Sequence, residues 1–302
     1  MAAVDAIPPT SQLQLGIGPV AHLADVAGGT RFGTFVHSVL EQLAFNSPSL
    51  EADIRALVLD GAAREGLDLG IDTPLNPTLD NVIAGILAAV RTPLGPLFGG
   101  RALADFDPRD RLPELAFDMP IAASTGTITA GTIGEILLAN LGRTDPIRPF
   151  AASLAGEFAR FDISGWMNGS IDGVFRVPAD DHVGGDHRYV IVDYKTNRLH
   201  QPGAADPVAA YHPKLLIPAM EHSRYPLQAL LYSIALHRYL RWRLGKAYDP
   251  AKHLGGTAYL FVRGMVGPDT PVVRGVAHGV FSWHPPASAI VALDRLFAVG
   301  QR

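Results

Sequence analysis

The sequence predicts an α/β (α+β) domain in which helices flank a central mixed β-sheet. Strand-like segments near residues 163–177 and 187–195 are followed by two segments with helical periodicity and then by another strand. This order is typical of one sheet covered by helices. The segment Gly255–Val262 is almost continuously apolar, which indicates a strand buried on both faces. The chain is 48% hydrophobic and 18% charged, a composition that can bury a sizeable core.

Helical patterns dominate the first part of the chain. Residues 1–30 are rich in Pro, Gly and Ala and lack periodicity, which predicts a linker or arm ahead of one domain over residues 31–302. From Gly33, apolar residues recur at three-and-four spacing, which predicts a helix that ends at Asn46-Ser47-Pro48. Further helices are predicted over residues 50–64 and 79–91.

Strands and helices alternate in the rest of the chain. A loop rich in Pro and Gly over 92–110 precedes a predicted strand, Leu112–Ile121, and a short helix over 132–141. The strands at 163–177 and 187–195 are joined by a segment that carries the turn signal Gly184-Gly185. The remaining predicted elements are helices over 206–222 and 226–244, a strand over 276–283 and a closing helix over 287–299.

The composition excludes several classes of site. The chain has no cysteine, so it can form no disulfide, zinc–thiolate site or cysteine-ligated iron–sulfur cluster. It has no Gly-x-x-x-x-Gly-Lys-Ser/Thr motif, so ATP hydrolysis is not expected of it. The first ten residues lack the basic and apolar regions of a secretory signal, and no apolar run is long enough to span a bilayer. We therefore expect a cytoplasmic protein without a membrane partner.

The charge balance argues against strong nucleic-acid binding by the chain alone. The net charge is −4 and the pI is about 6.2, whereas a free-standing nucleic-acid binder usually carries a basic surface. We expect weak and strongly salt-sensitive DNA binding. The densest basic patch, Arg238, Arg241, Arg243 and Lys246, is interpreted as the solvated face of a helix rather than a DNA contact.

The most informative pattern lies on the two middle strands. Val190–Val192 leads directly into Asp193, and charges at the end of a buried strand are rare unless they are paired or bound to a metal. Alternate side chains of a strand share a face, so Asp193 and Lys195 point one way and Tyr194 the other. If the two strands form a hairpin, Asp172 comes to lie beside them. Such a group suits metal-assisted hydrolysis of a phosphodiester; the alternative is a plain ion pair of strand charges.

Five ordered blocks resemble the C-terminal nuclease domain of RecB, the β subunit of exodeoxyribonuclease V, in the PD-(D/E)xK nuclease superfamily. The resemblance covers roughly residues 31–300 and implies a restriction-endonuclease-like core with an N-terminal helical portion. The interval between Asp172 and Asp193 is longer than is usual in this family, which predicts an enlarged hairpin loop over 178–187. The blocks are Gly33–Glu41, Glu114–Phe117, Asp172 with Asp193–Asn197, Tyr225–Leu240, and Gly255–Gly264.

The resemblance implies that His37, Asp172 and Asp193 ligate a metal ion. Mg²⁺ is the expected cofactor because it prefers oxygen ligands, and Mn²⁺ is a second candidate because it tolerates an imidazole better. His37 and Glu41 lie at i and i+4 of a predicted helix, so the alternative for His37 is a simple helical hydrogen-bonded pair.

The same resemblance assigns catalytic roles beside Asp172 and Asp193. Lys195 would position or activate the attacking water and stabilise charge on the phosphate. Glu114 would lie close to the metal or to that water, with an ordinary exposed acid as the alternative. Gln228 and Tyr232 share a helix face and would line the site, contact DNA or orient catalytic groups; Tyr232 could instead only pack.

The function that the resemblance implies is that of a metal-dependent exodeoxyribonuclease in double-strand-break processing and recombinational repair. The expected partners are DNA, as single strands or ends, and the helicase subunits of a RecBCD-type enzyme: RecC, RecD and the motor region of RecB. The chain would correspond to an excised domain or to a stand-alone relative. The alternative is a catalytically silent domain of the same fold that binds DNA or docks a helicase.

Overall fold

The computed structural model describes residues 20–70, 77–121, 128–163, 165–179 and 187–298. The predicted fold class is confirmed, because helices cover both faces of a mixed sheet. The sheet has the strand order β1-β4-β5-β6-β9. The strands in chain order are β1 (Arg111–Ile121), β2 (Ile128–Thr129), β3 (Asp162–Ile163), β4 (Gly165–Pro178), β5 (His187–Lys195), β6 (Leu254–Phe261), β7 (Val272–Val273), β8 (Val276–Ala277) and β9 (Val280–Trp283).

The helices agree in most places with the sequence-based prediction. Seven follow apolar periodicity that the sequence shows clearly, whereas α5 and the four-residue α8 were not predicted. The helices in chain order are α1 (Thr30–Gln42), α2 (Leu50–Glu65), α3 (Pro77–Arg91), α4 (Ala130–Asn140), α5 (Arg148–Ala155), α6 (Pro213–His222), α7 (Tyr225–Leu244), α8 (Pro250–His253) and α9 (Ala287–Ala298).

Two predicted elements are broken in the structure. The helix expected over 206–222 is a 3₁₀ turn, Pro207–Tyr211, followed by α6, because Pro213 has no N–H to continue the first segment and suits a helix start. The strand expected over 276–283 is interrupted at Gly279, whose φ is +81° and whose N–H donates to the Tyr211 carbonyl oxygen at 2.9 Å. Only β9 joins the main sheet.

Burial on both faces explains the apolar strands. Helices α1, α2 and α3 cover one face, where Val190, Val192 and Tyr194 of β5 are buried. Helices α4 to α7 and α9 cover the other face, where Ile191 is buried. The sequence of β5 is therefore a continuous apolar run, without the alternation of polar and apolar residues that a half-exposed strand shows. It pairs antiparallel with β4 and parallel with β6.

The paired strands β1 and β4 extend beyond the end of β5. β4 pairs with β1 along Gly165–Phe175, but it pairs with β5 only from Gly173 to Pro178. The first half of β4 and its partner thus form a two-stranded ribbon past the end of β5. The connection between β4 and β5, where an enlarged loop was predicted, lies mostly outside the described residues.

The predicted basic patch is partly engaged inside the protein. Arg238 and Arg241 of α7 donate to the carboxylate of Asp294 on α9, at 2.6 and 3.0 Å. Asp294 is 3% exposed, and the side chains of His237 and Arg238 hold its pKa well below the usual range against the opposing effect of burial. The interpretation of this patch as a solvated face is therefore wrong for Arg238, whose side chain is 21% exposed. Arg241 is 56% exposed and pairs with Asp294 from the surface, so both arginines fasten α9 to α7.

Part of the segment predicted as an arm lies against the core. Leu23 and Val26 are buried, and the guanidinium of buried Arg263 donates to both of their carbonyl oxygens. The same guanidinium donates to the Thr196 carbonyl oxygen at 2.8 Å, just after β5. Residues 20–28 are thereby fixed beside the end of β5. The boundary between an arm and a domain at residue 30 stays a prediction.

Among the described residues, no single helix has the length and apolar character needed to cross a membrane. One bent pair of segments, Thr78–Arg91 and Pro96–Asp105, meets those two criteria together, with a bend of 72°. The cytoplasmic location stays a prediction.

Replacement of Phe175 by Ala is expected to lower the free energy of unfolding by about 3–5 kcal/mol, because it empties a fully buried site. The Phe175 ring contacts the rings of Phe106, Phe98 and Phe45, with centroid distances of 5.1, 6.1 and 6.3 Å. Urea denaturation followed by circular dichroism would measure the change. The control is Phe161→Ala, since this ring is 63% exposed and its loss should stay within about 0.5 kcal/mol. Equal stabilities of the two variants would contradict the core assignment.

Candidate active site

The two predicted carboxylates meet where β4 and β5 separate. The last residue pair between the two strands is Gly173 with Val192, so Asp172 and Asp193 are the next residues on either side. The Tyr194 N–H donates to Asp172 Oδ2 at 2.8 Å. The hairpin predicted from the sequence is therefore confirmed, and it brings Asp172 beside the Asp-x-Lys segment.

Asp193 and Lys195 form a buried ion pair. Lys195 Nζ lies 2.5 Å from Asp193 Oδ2, and the two side chains are 12% and 2% exposed. Burial raises the pKa of Asp193 to about 6, although the ammonium of Lys195 acts in the opposite direction. The negative charge of Asp172 adds to the increase. In the metal-free protein, the Asp193 carboxylate is thus only partly compensated.

Aromatic rings hold the Lys195 ammonium in place. Lys195 Nζ lies 4.1 Å from the centroid of the Tyr225 ring and 5.3 Å from that of Tyr259. A cation is attracted to the face of an aromatic ring at such distances. Tyr259 is opposite Asp193 in the parallel pairing of β5 and β6, which directs its side chain to the same face. Both tyrosines lie in segments that resemble the family, Tyr225–Leu240 and Gly255–Gly264, but the resemblance implied no role at the site for either.

Gln228 and Tyr232 of α7 complete the surroundings of Lys195. Gln228 Oε1 accepts from Lys195 Nζ at 3.5 Å and from the Tyr259 hydroxyl at 3.2 Å. Gln228 Nε2 donates to the Tyr232 hydroxyl at 2.8 Å. Burial and the nearby charge of Asp193 raise the pKa of Tyr232 above its usual range, so this phenol stays protonated. Their i and i+4 spacing places both side chains toward β5, as the sequence predicts.

His37 of α1 reaches the site and pairs with Asp172. Its Nδ1 lies 3.2 Å from Asp172 Oδ2, and its ring meets Tyr194 edge-on at a centroid distance of 6.1 Å. Burial lowers the pKa of His37, but the hydrogen bond and the charge of Asp172 outweigh it, so the net shift is upward from 6.5. The helical pair of His37 with Glu41 considered as an alternative is not formed; His37 bonds to Asp172 instead.

Glu114 lies on the rim of the site, within the strand that the sequence predicts. It is within β1 at φ +50°, and the pairing with β4 skips it, since Pro113 pairs with Gly173 and Leu115 with Ile171. Its Oε1 accepts from the Ser170 hydroxyl at 3.2 Å. Partial burial and the carboxylate of Glu114 raise the pKa of Glu41, which shows that these two exposed acids are neighbours.

An open pocket of about 790 Å³ lies over this group, here called the strand-end pocket. Helix α1 lines the pocket along its whole length, from Thr30 to Glu41, together with Lys195, Arg198 and Tyr225. The close approach of α1 depends on Gly33, because a Cβ there would come within 3.3 Å of Thr196 Oγ1. The pocket is therefore open above the ion pair and wide enough to admit a phosphate group.

The residues present suit a hard divalent cation in their chemistry. Two carboxylates, Asp172 and Asp193, lie side by side, and buried Asp193 Oδ2 receives no hydrogen bond within the described part of the chain beyond its ion pair with Lys195. Carboxylate oxygens are the ligands that Mg²⁺ prefers. However, no three His, Asp or Glu side chains among the described residues form a ready metal-binding group. His37 is engaged with Asp172, so metal ligation by this trio stays a prediction.

Comparison with curated proteins finds relatives named RecBCD enzyme subunit RecB. That of Mycobacterium tuberculosis is 41% identical over 285 residues, which cover 92% of this chain and 24% of the relative. That of Escherichia coli K12 is 33% identical over 271 residues, which cover 89% of this chain and 19% of the relative. The chain thus spans a quarter or less of the length of these relatives. No protein-family model matches it.

In the metal-free protein, the Asp193 carboxyl group is expected to titrate near pH 6. Because this folded-state pKa exceeds the value of 3.8 for an ordinary Asp, the stability that the group contributes is fully present below about pH 4 and is lost as the pH rises through 6. A ¹³C NMR titration of the carboxyl carbons measures the pKa, with Asp193→Asn to assign the signal.

The variant Lys195→Ala is the comparison for this titration. It removes the ammonium that lowers the pKa, so the Asp193 midpoint should move further up. A midpoint near pH 4 in the folded wild type would contradict the burial of Asp193, and no upward movement in the variant would contradict the ion pair with Lys195.

Proposed function

Because this chain is homologous to one segment of the RecB subunits of RecBCD enzymes, we propose that it is a metal-dependent deoxyribonuclease. The observation that carries the proposal is the convergence of Asp172, Asp193 and Lys195 at the end of β5, under an open pocket. We assign it the hydrolysis of DNA phosphodiester bonds from strand ends, as the nuclease part of a RecBCD-type helicase–nuclease in double-strand-break processing.

Asp172 and Asp193 would hold the divalent cation, Mg²⁺ or Mn²⁺, with His37 as a neighbouring nitrogen ligand. When bound, such an ion supplies a more acidic water and neutralises charge on the scissile phosphate. For His37 to serve as a ligand, its ring must give up the contact with Asp172 and present a neutral nitrogen. Asp193 must be ionised, and its raised pKa favours pH values above about 6 for this state.

Lys195 supplies a fixed positive charge at the reacting centre. Its ammonium is held by Asp193, by the Tyr225 ring and by Gln228 Oε1. A charge held in advance where negative charge develops stabilises the transition state without reorganisation. From this position the ammonium stabilises the phosphate oxygens and orients the attacking water.

The polar groups of α7 keep the ammonium in position. Gln228 accepts from both Lys195 and Tyr259 with one oxygen and donates to Tyr232 with its nitrogen, so its amide has a single favoured orientation. We assign Gln228 and Tyr232 the role of aligning Lys195. We assign Glu114, on the rim beside Ser170 and next to Glu41, a role in orienting water.

The charge of the chain supports a dependence on partners. With a net charge of −4, the chain neutralises few phosphates by itself, so its affinity for DNA should fall steeply with salt. We propose that the rest of RecB, together with RecC and RecD, delivers the DNA strand to this site.

Replacement of Lys195 by Ala is expected to reduce cleavage at least about 100-fold, because it removes the preorganised charge. The assay follows end-labelled linear single-stranded DNA with Mg²⁺, Mn²⁺ or EDTA, and EDTA should abolish cleavage by the wild type. The matched control is Lys246→Ala, an exposed lysine beyond the far end of α7, which should cut normally. Wild-type rates for a folded Lys195→Ala protein would refute the proposed site.

The second candidate is a domain that binds DNA without cutting it, and the pairing of His37 with Asp172 favours this reading. Calorimetry with Mn²⁺ and Mg²⁺ separates the two. A nuclease should bind at least one of these ions at millimolar concentrations, and Asp172→Asn should weaken that binding at least about tenfold. The control is Asp60→Asn, on the exposed surface of α2. The absence of ion binding by the wild type would support the silent domain.

A further inference from the structure

A second cavity lies beside the strand-end pocket, on the other side of the first turn of α7. It is a groove of about 410 Å³, within the range of small-molecule sites. Three phenylalanines supply much of its wall, and we call it the phenylalanine groove: Phe150, Phe158 and Phe161. The Phe158 and Phe161 rings are 5.8 Å apart between centroids. Phe161 is 63% exposed, so much of its ring is accessible to a ligand.

Consecutive residues of the chain line the groove and the strand-end pocket. Arg224 lines the groove, and the next residue, Tyr225, lines the strand-end pocket. Leu227 faces the groove, whereas Gln228 contacts Lys195. Both cavities therefore border the first turn of α7. A strand with its phosphate at Lys195 then has the groove as its neighbouring cavity.

The rim of the groove carries a positive charge. Arg224 lines the groove and is exposed to solvent. A phosphate group of a bound strand would meet this charge at the rim.

We propose that the phenylalanine groove binds one unpaired base of the DNA strand whose phosphate lies at Lys195. The inference rests on the proposed nuclease function and adds a base-binding subsite to it. The base stacks on the exposed Phe161 ring, and Arg224 faces the backbone. Aromatic stacking platforms are the usual means of binding single strands without sequence preference. An apolar protein segment would cover the rings but would bring no anion to Arg224.

Binding of the full chain to a fluorescently labelled single-stranded oligonucleotide tests the proposal, by anisotropy at low salt with EDTA to prevent cleavage. Phe161→Ala is expected to weaken binding about fivefold or more, since loss of one stacked base costs about 1–3 kcal/mol. The control is Trp242→Ala, an aromatic residue that is 75% exposed. It lies about 26 Å along α7 from Tyr225 at 1.5 Å per residue, so its loss should leave binding unchanged.

Oligonucleotides with a single abasic position provide the specific readout. At one position, loss of the base should weaken wild-type binding by a similar factor but should not weaken Phe161→Ala further. Equal affinities of wild type and Phe161→Ala would overturn the base subsite and favour a protein segment as the occupant. If the wild type still degrades DNA with Mg²⁺ or Mn²⁺ in that case, the nuclease proposal survives. If the wild type neither binds nor degrades DNA, both proposals fail.

Discussion

Burial of the Asp193 carboxylate at the end of β5 requires compensating charge, and much of the surrounding structure meets that requirement. Lys195 supplies the ion pair, and Tyr225 and Gln228 hold its ammonium from α7. Asp172 adds a second negative charge that makes the need greater. An arrangement that only stabilised the fold would not place two carboxylates together below an open pocket. The excess negative charge is the feature that fits a bound cation.

The separation of β4 from β5 makes the site accessible. If the two strands remained paired beyond Gly173 and Val192, Asp172 and Asp193 would lie within the hydrogen-bonded ladder between them. Instead β4 continues with β1 as a ribbon, and the backbone N–H of Tyr194 turns to Asp172. Helix α1 and the segment fixed by Arg263 then form the opposite wall. The pocket is thus bounded by parts of the chain that are far apart in sequence.

Helix α7 links the candidate active site to the rest of the molecule. Its first turn divides the strand-end pocket from the phenylalanine groove, its next turns carry Gln228 and Tyr232, and its last turns bind Asp294 of α9. A change in the position of α7 would therefore alter both cavities together. For a nuclease that receives its strand from other subunits, one rigid helix that sets both the charge and the neighbouring groove would keep the phosphate and the base in register.

The sequence by itself determined most of the elements and the strand face of Asp193 and Lys195, because these depend on local periodicity. The period of two placed Asp193 and Lys195 opposite Tyr194, and the three-and-four spacing placed Gln228 and Tyr232 on one face. The tertiary structure alone decided the pairing of His37 with Asp172, the proximity of Glu41 to Glu114, and the roles of Tyr225 and Tyr259. These contacts depend on how α1 and α7 dock on the sheet. Docking is set by packing between residues distant in sequence, which leaves no periodic signal along the chain.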